Sequence, residues 1–295
     1  MSDKPIYFLA GLPRSGSTLL ANILLQHPRL HVTPTSGILD MLVQVRNHWD
    51  RNDAIQAMDR KTSEQVKEQV LHAMAQAYFG HVDKPVCIDK NRYWAEFLEM
   101  AAVLVGGREK VKVLVSVRDM RDVLASFETL YRKTAAISMP PLEGQNAIKC
   151  KTALGRLELF IDDAQPVGRA YNAIRDAVTR GWLPNMHFVE YTQLTREPAK
   201  TLAGIYRFLG EEPCEHDFDN VEQGTVEDDF VYGFKDLHVI RQQVRPQEPQ
   251  WPKVFDDAVF QSNAWRNIEK VAEFWKLYQK QQTKSTPTLI GKHSV

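Results

Sequence analysis

Cysteine is scarce in this chain. Only Cys87, Cys150 and Cys214 occur in 295 residues, an odd number without paired spacing, so neither a disulfide framework nor a metal site is expected. Net charge is missing as well. Lys plus Arg number 37 and Asp plus Glu number 37. A neutral chain has no general attraction to nucleic acid or to an anionic membrane, and any anion it binds must be held by a local cluster of cations. Long apolar runs are also lacking. No stretch approaches the ~20 residues that cross a bilayer, and the apolar run near the N-terminus is too short for a signal peptide. With so few cysteines, a reducing compartment fits best, and a soluble cytoplasmic protein is expected.

What the chain does have is a hydrophobic complement of 43%, enough for a substantial core, and strands that alternate with helices. Ile6 to Ala10, Pro85 to Ile88, Val111 to Val117 and Met186 to Tyr191 read as strands. Val111 to Val117 is almost continuously apolar, which suits a strand buried on both faces of a parallel sheet. Helical spacing runs from Ser17 to Gln26, Ile38 to Trp49, Thr62 to Gly80, Tyr93 to Val105, Asp119 to Lys133, 152 to 180 with a break at Pro166, Pro198 to Leu209, and Ala264 to Gln281. Thr62 and Gln65 have the spacing of a capping box. HVTPTSG, residues 31–37, reads as a loop, and a Met-Pro-Pro stretch at 139–141 has no assignable form. The expectation is an α/β fold, a parallel β-sheet flanked by helices, in one domain spanning 1–281 with a disordered tail at 282–295.

The densest signal is AGLPRSGSTLL, residues 10–20. A tight loop here joins a buried strand to a helix N-terminus. Its free backbone N–H groups, backed by the helix dipole, form a receptor for phosphate. Gly11, Gly16 and Thr18 match the phosphate-binding loop of nucleotide hydrolases and kinases, but Ser17 stands where the phosphate-reaching lysine belongs. Arg14 supplies the cation instead, beside the hydroxyls of Ser15, Ser17 and Thr18. A second anion grip lies in VSVRDMRDVLASF, residues 115–127, where Arg118 ends a strand and Ser126 follows about two helical turns later.

These two stretches together resemble the cofactor loops of sulfotransferases that use 3′-phosphoadenosine 5′-phosphosulfate (PAPS). The resemblance implies a P-loop-like sulfotransferase fold and transfer of a sulfonate from PAPS to a hydroxyl or amine acceptor, leaving adenosine 3′,5′-bisphosphate (PAP). On the matched positions it implies that Arg14, Ser15, Gly16, Ser17 and Thr18 hold the 5′-phosphosulfate, and that Arg118 and Ser126 hold the 3′-phosphate. FVEYTQLTREPAKTLAGIYRFLG, residues 188–210, resembles a late strand and helix of that fold and brings Tyr191 near the cofactor. VCIDKNRYW, residues 86–94, resembles the D-K-x-P stretch of bacterial and tyrosyl-protein members, which makes Lys90 the catalytic lysine beside Arg14. No metal is implied. The resemblance spans roughly residues 5–210.

One catalytic part is not found. Thr35 stands where tyrosyl-protein sulfotransferases carry a glutamate base, and Asn91 to Tyr93 where the cytosolic enzymes carry a histidine. His31, Asp40 and His48 are the nearby substitutes, and Trp49 or Trp94 are candidates to line an acceptor pocket. A nucleotide kinase is the alternative reading, opposed by the missing lysine, and a binding module that has lost its base is another. Residues 210–262 lack a sustained period. Their Lys235, Arg241 and Arg245, set among Phe230, Tyr232, Phe234 and Trp251, suggest a lid over a polyanion, and the alternative is a surface loop pairing internally with Asp228, Asp229 and Asp236.

Overall fold

The structure, a computed structural model, describes residues 3–137 and 146–285, with 283–285 defined by backbone alone. The Met-Pro-Pro stretch and residues 286–295 lie outside the described residues. Five strands, β1 (Ile6–Gly11), β2 (Leu30–Thr35), β3 (Val86–Lys90), β4 (Val113–Val117) and β5 (Met186–Glu190), form one sheet in the order β2-β3-β1-β4-β5. Every pairing is parallel.

Alternate residues of the strands feed two separate cores, which is why the strands read as nearly continuous apolar runs. Phe8, Ala10, Val113, Val115 and Phe188 face the larger core, built with Ile38–Trp49, Leu98–Val105, Met120–Ala135, Ala153–Phe160 and Pro166–Thr179. Leu9, Ile88, Leu114 and Val189 face a smaller one under Ser17–Leu25 and Pro198–Leu209.

Several local expectations need correction. The stretch read as a loop at HVTPTSG is mostly β2. As the end strand of the order, β2 tolerates Pro34, whose missing N–H removes no ladder bond on the open side, and its pairing shifts register between Val32 and Thr35. The helix Arg60–Tyr78 is capped by Asp59, whose carboxylate accepts from Thr62 N, so Thr62 is not the cap. The span from Tyr93 to Val105 opens with a 3₁₀ turn, Arg92–Glu96, before the α-helix Leu98–Val105. The C-terminal span is two helices, Asn263–Val271 and Trp275–Ser285, and Gln282 Nε2 donates to Leu183 O at 2.9 Å. Pro166 opens a new helix, as the break there suggested.

The chain leaves the adjacent strands β1 and β3 in opposite directions, toward β2 and β4, and such a switch point opens a crevice beyond the strands' C-terminal ends. Leu9 pairs with Lys90 and Gly11 with Ser116, so the first loop, Lys90 and Arg118 all emerge at this edge. Gly11 is irreplaceable on steric grounds. Its φ is 138°, and a Cβ there would lie 2.1 Å from Ser116 O. Among the described residues no helix is long and apolar enough to cross a membrane.

Candidate active site

A cavity of about 620 Å³ occupies the crevice. The loop after β1 forms its floor. Arg14 and Gly16 both take left-handed backbone, φ 59° and 88°, and Gly16 directly precedes the helix Ser17–Leu25. That helix has no acidic residue in its first turn and no side-chain cap, so its leading N–H groups face the cavity without a carboxylate partner. Gly16 is held against Tyr191, and an added Cβ would meet the ring at 2.5 Å.

Gly16, Ser17, Thr18, Arg14, Lys90, Arg118, Ser126 and Tyr191 all line this one cavity, so the structure brings together the residues singled out from sequence. Ser15 is the exception. Its hydroxyl is buried against β4, 2.8 Å from Ser116 Oγ, and only its main chain is left to meet a ligand.

Arg14 reaches from the first loop to the second grip. Its Nε donates to Ser126 Oγ at 3.1 Å and its NH1 donates to Leu237 O, so the guanidinium stands with the second grip. Burial and the nearby Arg118 push its pKa down to about 10, which leaves it charged at neutral pH. Arg118 lies over the Tyr191 ring, 4.5 Å from its centroid, and reaches Asp122 only at 3.5 Å. Asp119 is engaged elsewhere, 2.6 Å from Arg121. The Nε of Arg118 is buried with no partner among the described residues, an orphaned donor of the kind that an anionic ligand satisfies.

Lys90, at the end of β3, is almost fully buried and lies 3.3 Å from Glu227 Oε2 and 3.4 Å from Thr35 Oγ1. Burial holds its pKa below the ordinary lysine value against the pull of Glu227. Tyr232, named from sequence as part of a lid, reaches the site from the irregular segment together with Glu227, Asp229, Leu237 and His238, whose part in it sequence reasoning missed. His238 was the readable clue, as the one histidine in the basic and aromatic run from Phe230 to Arg245. Arg241 and Arg245 line the cavity as expected of a lid, but Lys235 does not, and Trp251 packs on Trp265 with ring centroids 5.3 Å apart. Among the described residues Lys235, Arg241 and Arg245 make no ion pair with Asp228, Asp229 or Asp236. Asp236 pairs with Lys133 and Asp229 with His238.

The proposed substitute bases separate. Asp40 lines the cavity, while His31, in β2, and His48, near the end of the helix Ile38–Trp49, do not. Trp94 is core, donating to Asp89 Oδ2 at 2.6 Å, and Trp49 bonds Ser63, so neither lines an acceptor pocket. Cations outnumber acids at the site. Six cations, Arg14, Lys90, Arg92, Arg118, Arg241 and Arg245, line the cavity beside Asp40, with Glu227 behind Lys90 and Asp122 behind Arg118, in a chain of zero net charge.

A family profile described as "Sulfotransferase family" matches residues 5–215. The chain belongs to the sulfotransferase family. It is 25% identical over 216 residues to protein-tyrosine sulfotransferase 2 of Gallus gallus, covering 70% of this chain and 52% of that one. It thus spans about half the length of the curated relatives it matches. Among solved structures it resembles the sulfotransferase domain of the Synechococcus PCC 7002 olefin synthase, with TM-score 0.50, 19% identity, and coverage of 92% of this chain and 95% of that one. It also resembles the sulfotransferase domain from the curacin biosynthetic pathway, with TM-score 0.52, 14% identity, and coverage of 91% and 97%. These likenesses establish the sulfotransferase fold, and with it the parallel sheet flanked by helices expected from sequence.

Proposed function

We propose that this sulfotransferase moves a sulfonate group from PAPS, its donor substrate, to a hydroxyl, releasing adenosine 3′,5′-bisphosphate. The observation that carries the reading is the convergence of Arg14, Lys90, Arg92, Arg118, Arg241 and Arg245 on one cavity at the end of a phosphate-type loop. Arg118, Ser126 and Arg14 form the grip for the 3′-phosphate. The first-turn N–H groups with Ser17 and Thr18 take the 5′-phosphosulfate, and the Tyr191 ring closes one side. Sulfonyl transfer rests on holding donor and acceptor in line and on neutralising charge at the leaving oxygen, which Lys90 and the loop amides serve from the β3 and β1 edges.

The acceptor we favour is a tyrosine hydroxyl of a polypeptide, because the curated relatives are protein-tyrosine sulfotransferases and aromatic Tyr93, Phe127, Tyr232 and Phe234 line the cavity. An amine acceptor and the kinase reading have no such support, and Ser17 still stands in place of the phosphate-reaching lysine. We read residues 1–281 as one domain and place it in the cytoplasm, supported by the shared sheet and by three cysteines without a disulfide. The test supplies PAPS bearing labelled sulfonate and a tyrosine-containing peptide in the presence of EDTA. Label in the peptide is expected. Label transfer that requires added magnesium, or transfer of phosphate from ATP instead, would contradict the proposal.

A further inference from the structure

We infer that the Asp229–His238 pair is the acid-base unit missing from the sequence motifs, with His238 Nε2 taking the acceptor's proton. The inference rests on the proposed sulfonate transfer and assigns its base to the irregular segment, beyond the residues that the family profile matches.

The geometry determines which ring nitrogen is free. His238 Nδ1 lies 2.6 Å from Asp229 Oδ1 and 3.7 Å from Glu227 Oε1. A nitrogen lone pair aimed at two carboxylates would be repelled, so Nδ1 carries the proton and donates it to Asp229. That leaves Nε2 with its lone pair. No described residue pairs with Nε2, and His238 lines the cavity. Asp229 also accepts from the His238 backbone N–H at 3.0 Å, so one carboxylate fixes both the position and the tautomer of the residue. Gln223 donates to His238 O at 3.2 Å, and Arg14 donates to the preceding carbonyl of Leu237. The turn that presents the ring is therefore tied to the loop after β1.

Glu227 is the competitor, and its contacts argue against it. Oε2 faces Lys90 at 3.3 Å and Oε1 faces the Tyr232 hydroxyl at 3.3 Å, so both oxygens are engaged. The charged and titratable groups facing His238 are Asp229, Glu227, Lys90 and Tyr232, the last with its ring 5.4 Å away. Burial and Lys90 hold the imidazole below its ordinary pKa against the pull of the two carboxylates, which keeps it neutral and basic at physiological pH.

The step balances without a further reactant. The acceptor oxygen forms a bond to sulfur as its proton passes to His238 Nε2. The bond from sulfur to the 5′-phosphate oxygen breaks, and its electron pair leaves with the bisphosphate. The imidazolium then returns its proton to solvent.

The experiment uses the full chain with p-cresol as acceptor and PAPS as donor. Three readouts are taken: bisphosphate release, the thermal shift given by adenosine 3′,5′-bisphosphate, and isotope-labelled NMR of the His238 ring. The ring is expected as the neutral Nδ1–H tautomer. His238→Asn should lower release by about 10²–10⁴-fold with the thermal shift retained. Asp229→Asn should lower release less and move the acidic limb of the rate profile to lower pH, because removing the carboxylate lowers the imidazole pKa. Release by His238→Asn within about twofold of the wild type, loss at Asp40→Asn alone, or an Nε2–H tautomer would each overturn the assignment. A wild-type protein that neither binds the bisphosphate nor releases it from PAPS removes the transfer reading, and the assignment falls with it.

Discussion

Arg14 Nε donates to Ser126 Oγ at 3.1 Å, joining the loop after β1 to the helix after β4 across 112 residues of chain. The contact puts the Arg14 guanidinium beside Arg118. Both arginines should therefore report on the 3′-phosphate. Arg14→Ala and Arg118→Ala are each expected to weaken adenosine 3′,5′-bisphosphate about 10- to 100-fold, the size of one or two charge-assisted hydrogen bonds. AMP binding should change little in either variant. Calorimetry in which Arg14→Ala weakens AMP and the bisphosphate equally would return Arg14 to the 5′ side.

Lys90 and Glu227 form a buried pair, 7% and 6% exposed in their side chains. In the proposed reaction Lys90 stabilises charge on the leaving oxygen, and its removal also strands a carboxylate in the interior. Lys90→Ala is expected to lower turnover about 10²–10³-fold and to destabilise the fold by about 3–5 kcal/mol. Lys90→Met with Glu227→Gln should recover most of the stability and none of the turnover, as read by denaturant melts beside rates. Although burial acts to raise the Glu227 pKa, Lys90, Thr35 and His238 together hold it below the ordinary glutamate value. Its contribution to stability is thus fully present above the unfolded value of about 4.3 and lost as pH falls through the lower folded one. Glu227→Gln should flatten the melt profile in that acidic window.

Much of this site was legible because its parts sit where a strand stops and a helix starts. Gly11 and Arg118 directly follow apolar runs, Lys90 follows one after Asp89, Gly16 opens a helix, and their types at those junctions point to an anion. β2 was not legible because Pro34 and Gly37 carry loop signals, and the end position of the strand that makes Pro34 harmless exists only in the assembled sheet. Glu227, Asp229 and His238 were hidden for another reason. Residues 210–262 show no helical or strand period, so no pattern aims their side chains. Their convergence is set by tertiary ties such as Arg14 to Leu237 and Asn22 to Thr225, the latter 2.8 Å long.

Asp89 stands next to Lys90 in β3 and is fully buried, with Oδ1 unpartnered among the described residues. Burial pushes its pKa up to about 6, against hydrogen bonds from Ser36 and Trp94. A carboxyl raised on folding favours the protonated native state, so stability should fall as pH rises from about 4 to 6, by on the order of 3 kcal/mol. Asp89→Asn is expected to remove that slope and to raise the melting temperature at neutral pH. A variant that keeps the wild-type slope would show that another group titrates there.

If two cationic grips hold a nucleotide with phosphates at both its 3′ and 5′ positions, metal-free calorimetry will separate adenosine 3′,5′-bisphosphate from AMP. The bisphosphate is expected to bind in the micromolar range, roughly −8 kcal/mol, and AMP at least about tenfold more weakly. Equal affinity for the two nucleotides, or no binding of the bisphosphate, would contradict the account.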